Sequence, residues 1–165
     1  QEKPRAILCN AGWSFGDKND GDIVELHNFL DEGGLGVCLS YGKPLRVACP
    51  QVVFDNSCSY HLATQHLAEL GHQNIGLAGH DVEREKSRTL FRESLNAHNL
   101  PFDEEWIFAT PELYFSQAGF QAAQQFLAAK HKPTAMIVNS DETANAFVNV
   151  LVRAGVKIPD ERYQP

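Results

Sequence analysis

Positive charge is scarce in this sequence: 14 Lys and Arg stand against 21 Asp and Glu, a formal net charge of -7. Neutralising a phosphate backbone needs clustered Lys and Arg, and the basic residues here are dispersed, which argues against a nucleic-acid surface within the chain. Long hydrophobic runs are absent as well, and none approaches the length that crosses a bilayer. The opening Gln1-Glu2-Lys3-Pro4-Arg5 leads into a strand-like segment without a signal-peptide pattern. A cytoplasmic setting without a membrane partner is therefore expected. The four cysteines, Cys9, Cys38, Cys49 and Cys58, show no C-x-x-C spacing. Cys9 and Cys38 fall in apolar strand-like runs, where cysteine behaves as a small hydrophobe, so reduced thiols and no metal site are expected.

Motifs of catalysis are missing too. The sequence holds no G-x-S-x-G elbow, no P-loop and no H-E-x-x-H, and His61 and His66 are five residues apart, off a common helical face. Neither an enzyme nor a resident cofactor is expected. Asp17-Lys18-Asn19-Asp20-Gly21-Asp22 imitates a calcium loop, but that pattern needs Asp or Asn fifth and Gly sixth, where Gly21 and Asp22 stand. It reads as a solvated acidic loop before a helix. Gly33-Gly34-Leu35-Gly36 closes a helix rather than opening one, which excludes a dinucleotide fingerprint.

What is present is an alternation of short apolar runs and amphipathic segments. An apolar fraction of 43% over 165 residues suits one domain or two small lobes. Val52-Val53-Phe54 ends at Asp55-Asn56; Leu62, Ala63, Leu67 and Leu70 then recur near helical spacing until Gly71, and Ile75 to Ala78 is a second apolar run. Strand, helix, strand within so few residues is a βαβ unit and implies a parallel sheet. Around it, Ala6–Cys9, Val37–Leu39, Trp106–Phe108 and Ala135–Val138 read as strands. Helices are predicted from Ile23 to Gly33, over Arg84–His98 with Leu90, Phe91 and Leu95 inward, over Phe115–Ala129 with Phe120, Ala123 and Leu127 on one face, and over Asp141–Ala154 with Phe147, Val150 and Leu151 buried. The class is α/β, with parallel sheets flanked by helices.

In open parallel sheets ligands bind beyond the carboxyl ends of the strands. That rule selects the loops holding Trp13, Phe15, Ser40, Tyr41, Arg84, Arg88, Tyr114, Asn139, Ser140 and Asp141. Flat aromatics beside hydrogen-bonding side chains suit a small polar ligand with an apolar face, such as a sugar or a nucleoside. Plainer uses stand beside these: Ser140 or Asp141 as a helix cap, Tyr114 and above all Phe115 as core, and Arg84 and Arg88 as a solvated turn among Glu83, Glu85 and Lys86.

Phe54-Asp55-Asn56, then His61-Leu62-Ala63, then His66-Leu67-Ala68-Glu69-Leu70-Gly71-His72-Gln73-Asn74-Ile75 resemble the effector-binding domain of LacI/GalR-type bacterial transcription regulators. The likeness continues through Gly119-Phe120-Gln121-Ala122-Ala123, Lys132-Pro133-Thr134-Ala135-Met136-Ile137-Val138, Asp141 and Ala154-Gly155-Val156-Lys157-Ile158-Pro159-Asp160. The resemblance implies a periplasmic-binding-protein-like fold of two lobes with a cleft that closes on a small molecule, the first lobe incomplete. Residues 1–54 would be the remnant of the N-terminal lobe and 55–165 most of the C-terminal lobe, with Val52–Gly79 as the crossover. It further implies that the domain senses a sugar or nucleoside and forms a homodimer, with DNA bound only through an N-terminal helix-turn-helix that these residues lack. The opening strands of the first lobe and the portion after Asp160 are missing by the same measure, so a fragment is expected. A periplasmic sugar receptor of a transport system is the alternative.

By the same resemblance Tyr114 takes the place of an aromatic that stacks on the ligand, and Asp141 that of an acidic residue after the strand, with Ser140 where an Asn is common. Ser87 stands where the family has a ligand arginine, leaving Arg88 or Arg84 as the substitute, and Ser40 aligns with a polar residue from the first lobe.

Overall fold

The computed structural model describes residues 6–10, 28–41, 48–79 and 85–158, and for 7–10, 40, 41 and 56 the backbone alone. The Asp17–Asp22 loop, Trp13, Arg84 and the segment from Pro159 onward lie outside the described residues. The chain divides into two compact units, the first ending at Asn56 and the second beginning at Ser57.

Among the described residues of the first unit three parallel strands, β1 (Ala6–Asn10), β2 (Leu35–Tyr41) and β3 (Gln51–Phe54), lie in that order. Cys9 pairs in register with Cys38, and Cys38 with Gln51. A helical turn over residues 28–31 ends as Gly33 N–H and Gly34 N–H donate to the carbonyls of Leu30 and Phe29, both at 3.0 Å. Cys38 is fully buried, and its sulfur lies 3.4 Å from that of Cys49.

The second unit is a three-stranded parallel sheet with β4 (Ile75–Gly79) between β5 (Ile107–Ala109) and β6 (Ala135–Val138). Among the described residues four helices cover it: α1 (Asn56–Glu69), α2 (Glu85–Ala97), α3 (Phe115–Ala128) and α4 (Asp141–Arg153). Successive strand residues point to opposite faces. Ile75 and Leu77 of β4 pack with Phe91 and Leu95 of α2 and with Tyr60 and Leu67 of α1. Ala78 and Phe108 pack on the other face with Ala122, Ala123 and Phe126 of α3 and Phe147 and Leu151 of α4. The strand order requires this division. From β4 to β5 the chain steps one way along the sheet; from β5 to β6 it steps back across β4. Right-handed crossovers in opposite directions put their helices on opposite faces.

Local chemistry ends the helices where the sequence predicts. Gly71 enters the left-handed region (φ 90°) after α1; its N–H donates to Ala68 O at 2.9 Å and His72 N–H to Leu67 O at 3.0 Å. That paired closure satisfies carbonyls the helix leaves open. His72 is then buried, its Nδ1 2.9 Å from Thr134 Oγ1, which ties the start of β4 to the start of β6. Asn99 (φ 55°) closes α2 in the same way, before Pro101 is reached.

Three predicted details shift. Trp106 belongs to a 3-10 turn (Glu104–Trp106), so β5 starts one residue later than expected. Phe120 is exposed, and the buried stripe of α3 runs through Ala118, Gly119, Ala122, Ala123 and Phe126. Small residues own that face because α3 crosses α4 closely: a β-carbon on Gly119 would collide with the Thr143 carbonyl and crowd Ala146. Leu62 also faces outward. Among the described residues no helix is long and apolar enough to cross a membrane.

Candidate ligand-binding site

Because β5 and β6 flank β4, the carboxyl end of β4 is where successive connections leave for opposite faces, the position at which α/β sheets bind ligands. One more rung extends the sheet on each side there: Thr110 N–H donates to Gly79 O and Asn139 N–H to Ala78 O, both at 3.2 Å. The Asn139 side chain lies against Gly79, in the space a β-carbon would take. Asn139 Oδ1 and Thr110 Oγ1 are buried side-chain atoms without a hydrogen-bond partner among the described residues, and Thr110 is only 2% exposed. Buried polar atoms are nearly always satisfied, and exceptions mark places where water, an ion or a ligand is expected.

Ser140 follows in extended geometry (φ -153°, ψ 150°) and caps α4, its Oγ accepting from Thr143 N–H at 3.3 Å. The plainer use of Ser140 as a cap is thus realised. Asp141 and Glu142 occupy the first turn, where negative charge suits the helix dipole. Tyr114 precedes α3 in extended conformation (φ -122°, ψ 155°) with no side-chain cap bond. Phe115 follows with φ 51°, the left-handed region, unusual for a bulky residue. Contrary to the core reading of Phe115, both aromatics are 52% exposed, and their ring centroids lie 6.4 Å apart at 49°.

Two links hold the starts of α3 and α4 together. Ser116 Oγ donates to Glu142 Oε1 at 3.1 Å, and Thr143 Oγ1 donates to Phe115 O at 3.2 Å. Tyr114, Asn139, Ser140 and Asp141 therefore share one edge. Arg88 is engaged elsewhere: its guanidinium donates to Glu104 Oε2 at 2.8 Å, in the turn preceding β5. Arg92 reaches the other oxygen of Glu104 at 3.5 Å and lies 4.4 Å over the Phe102 ring. Ser40 sits in β2, with its backbone alone described; Trp13 and Arg84 lie outside the described residues.

The strand-end rule reaches the segment from Thr110 to Ser116 without naming Thr110 or Phe115 as a contact, and it does not reach Thr143. A polar residue directly after an apolar strand was the available signal for Thr110, and the Ser140-x-x-Thr143 spacing, a capping arrangement with Thr in the place of Glu, was the one for Thr143. Among the described residues no group of three or more His, Cys, Asp or Glu side chains converges as a metal site would require. The arrangement offers aromatic faces for a flat or C–H-rich surface, and hydroxyl, amide and carboxylate groups for hydrogen bonds.

A family profile described as a periplasmic binding protein-like domain matches residues 64–161. An HTH-type transcriptional repressor PurR from Actinobacillus pleuropneumoniae serotype 3 (strain JL03) is 33% identical over 118 residues, covering 66% of this chain and 33% of that protein. Among solved structures, a LacI family transcriptional regulator from Enterococcus faecium with bound ribose superposes with a TM-score of 0.64 at 26% identity, covering 86% of this chain and 52% of that one. A transcription regulator from Lactobacillus plantarum superposes with a TM-score of 0.68 at 25% identity, covering 96% and 57%. The chain spans about a third of the length of the curated relatives it matches.

Proposed function

Because this chain belongs to the periplasmic binding protein-like domain family, as the effector-binding domains of LacI/GalR-type regulators do, we propose that it senses a small polar molecule on behalf of a bacterial transcription regulator. The observation that carries this reading is the gathering of Tyr114, Asn139, Ser140 and Asp141 at the carboxyl end of β4, where Asn139 Oδ1 and Thr110 Oγ1 are buried without a partner among the described residues. Aromatic faces next to acceptor groups suit a sugar or a nucleoside. In this reading residues 1–54 belong to an N-terminal lobe and residues 55–165 form most of the C-terminal lobe. Arg88 joins the site only by releasing Glu104, and Arg84, Ser40 and Trp13 remain candidate contacts.

Sensing is then a binding equilibrium: a ligand that prefers one of two forms shifts their populations by its differential affinity. DNA would be engaged by a separate helix-turn-helix of the parent protein, as a cytoplasmic homodimer, and the domain itself would carry out no turnover. The relatives reported above are transcription regulators, which favours sensing for transcription over solute capture for transport.

A thermal-shift screen of pentoses, hexoses and nucleosides on the 165-residue chain tests the proposal. A ligand selective for the native state raises the melting temperature in a concentration-dependent way. A flat response across the panel counts against sugar or nucleoside sensing.

A further inference from the structure

Thr143 is fully buried in the first turn of α4, and its hydroxyl is engaged both as donor and as acceptor. Its Oγ1 lies 3.2 Å from Phe115 O and 2.7 Å from Ser140 Oγ. The direction of this relay is forced. A carbonyl oxygen only accepts, so the Thr143 proton points to Phe115, and Thr143 must accept the Ser140 proton. Ser140 Oγ in turn accepts from Thr143 N–H. What Ser140 has left is one acceptor lone pair and no proton.

From this relay we propose that Thr143 is a positioning residue for the ligand site. Its hydroxyl fixes Ser140 as an acceptor and holds the left-handed Phe115 backbone, which sets the angle between the Tyr114 and Phe115 rings. The ligand group that meets Ser140 must then donate a hydrogen bond, as a sugar hydroxyl does and a deprotonated carboxylate or phosphate oxygen does not. An independent sign that this edge awaits a ligand is Thr110, almost wholly buried beside Gly79 with a hydroxyl that has no partner among the described residues. The relay also links the two halves of the edge, because Tyr114 enters α3 and Ser140 caps α4. Hydrogen bonds in such a chain polarise and strengthen one another. The inference rests on the sensing function proposed above, and it refines the ligand to one that presents a hydrogen-bond donor to Ser140.

The test compares Thr143→Val, which keeps shape and removes the hydroxyl, with Thr143→Ser, which keeps the hydroxyl, on the 165-residue chain by NMR and by titration with D-ribose. Thr143→Val is expected to shift the Phe115 and Ser116 amide signals and the Tyr114 ring signals, and Thr143→Ser to restore them. D-ribose affinity should fall about tenfold in Thr143→Val and recover in Thr143→Ser. Unchanged Phe115 signals in Thr143→Val overturn the proposal. Equal damage from both variants overturns it too, since the methyl group would then be the cause. The wild-type chain supplies a readout that needs no variant: a Thr143 hydroxyl proton protected from exchange supports the relay, and rapid exchange refutes it. Failure of the wild-type chain to bind D-ribose or any other panel member rejects the sensing function instead, and the amide signals still judge the relay.

Discussion

The Asn139 side chain occupies the space above the Gly79 α-carbon that any other residue at position 79 would fill with its β-carbon. Gly79 also has φ 135°, a backbone region that other residues enter at a cost of about 1–3 kcal/mol. Both facts concern the last residue of the central strand, so the turn into the ligand edge is set by one absent side chain. Gly79→Ala should therefore lower stability by at least about 1–3 kcal/mol in urea denaturation. Adding Asn139→Ala to Gly79→Ala should recover the steric part and leave the backbone part. Simple additivity of the two substitutions would show that Asn139 does not press on this position.

Tyr114 and Asp141 project from the starts of α3 and α4. For the ligand identified by the thermal-shift screen, Tyr114→Ala and Asp141→Ala should each weaken binding more than tenfold, about 1.4 kcal/mol or more. Calorimetric titration reads this directly. Normal binding by both variants would place the ligand elsewhere.

Arg88 predicts a different pattern. Its ion pair with Glu104 is on the surface, with side chains 28% and 57% exposed, and such pairs contribute up to about 1 kcal/mol. Arg88→Ala should change stability by less than that, and ligand affinity by less than Tyr114→Ala does. A larger loss of affinity would bring the guanidinium into the site.

Between α1 and α2 lies a buried hydroxyl pair, Thr64 Oγ1 and Ser94 Oγ at 2.9 Å, and Ser94 Oγ donates to Phe91 O at 2.8 Å. Thr64 must then be the donor to Ser94. Ser94→Ala leaves the Thr64 proton buried and unpaired, which costs about 1–3 kcal/mol. Thr64→Val/Ser94→Ala should cost less than the two single changes added together, as measured by a double-mutant cycle. A purely additive result would mean that the hydroxyls do not interact.

In the first unit, the Cys38 and Cys49 sulfurs are 3.4 Å apart. Mild oxidation with a diazene oxidant such as diamide should join them, two thiols giving one disulfide while the oxidant becomes the hydrazine. Peptide mapping would identify the cross-link, and Cys49→Ser should abolish it. Mapping that recovers both thiols free after treatment refutes the expectation.

The sequence displayed its fold well because α/β alternation is written locally. Gly71 and Gly155 punctuate helices through backbone freedom alone, and the runs at Ile75 and Ala135 are β-strands in the structure. Boundaries and faces were less legible where packing decides them. Phe120 shares a helical stripe with Ala123, yet the close crossing of α4 at Gly119 turns the buried face toward the small residues. The strand-end rule selects Asn139, Ser140 and Asp141 of the candidate site, but no local pattern ties Thr143 to Phe115, 28 residues away. Phe115 reads as core because nothing in the sequence signals its left-handed backbone.

The order β5-β4-β6 also bears on how this unit folds. β4 and β5 are joined through a single helix, so their pairing needs only a modest loop to close. The side-chain contact at the start of β6 brings His72 to Thr134 across 62 residues. Loop closure costs entropy that grows with chain length, and distant pairings come late and slowly. Until β6 arrives, the far edge of β4 stays open, and its backbone groups are the natural template for a second chain. The same strand whose carboxyl end faces the candidate ligand is therefore the one whose flank must be shielded during folding, and substitutions that slow the docking of β6 should first reveal themselves as aggregation.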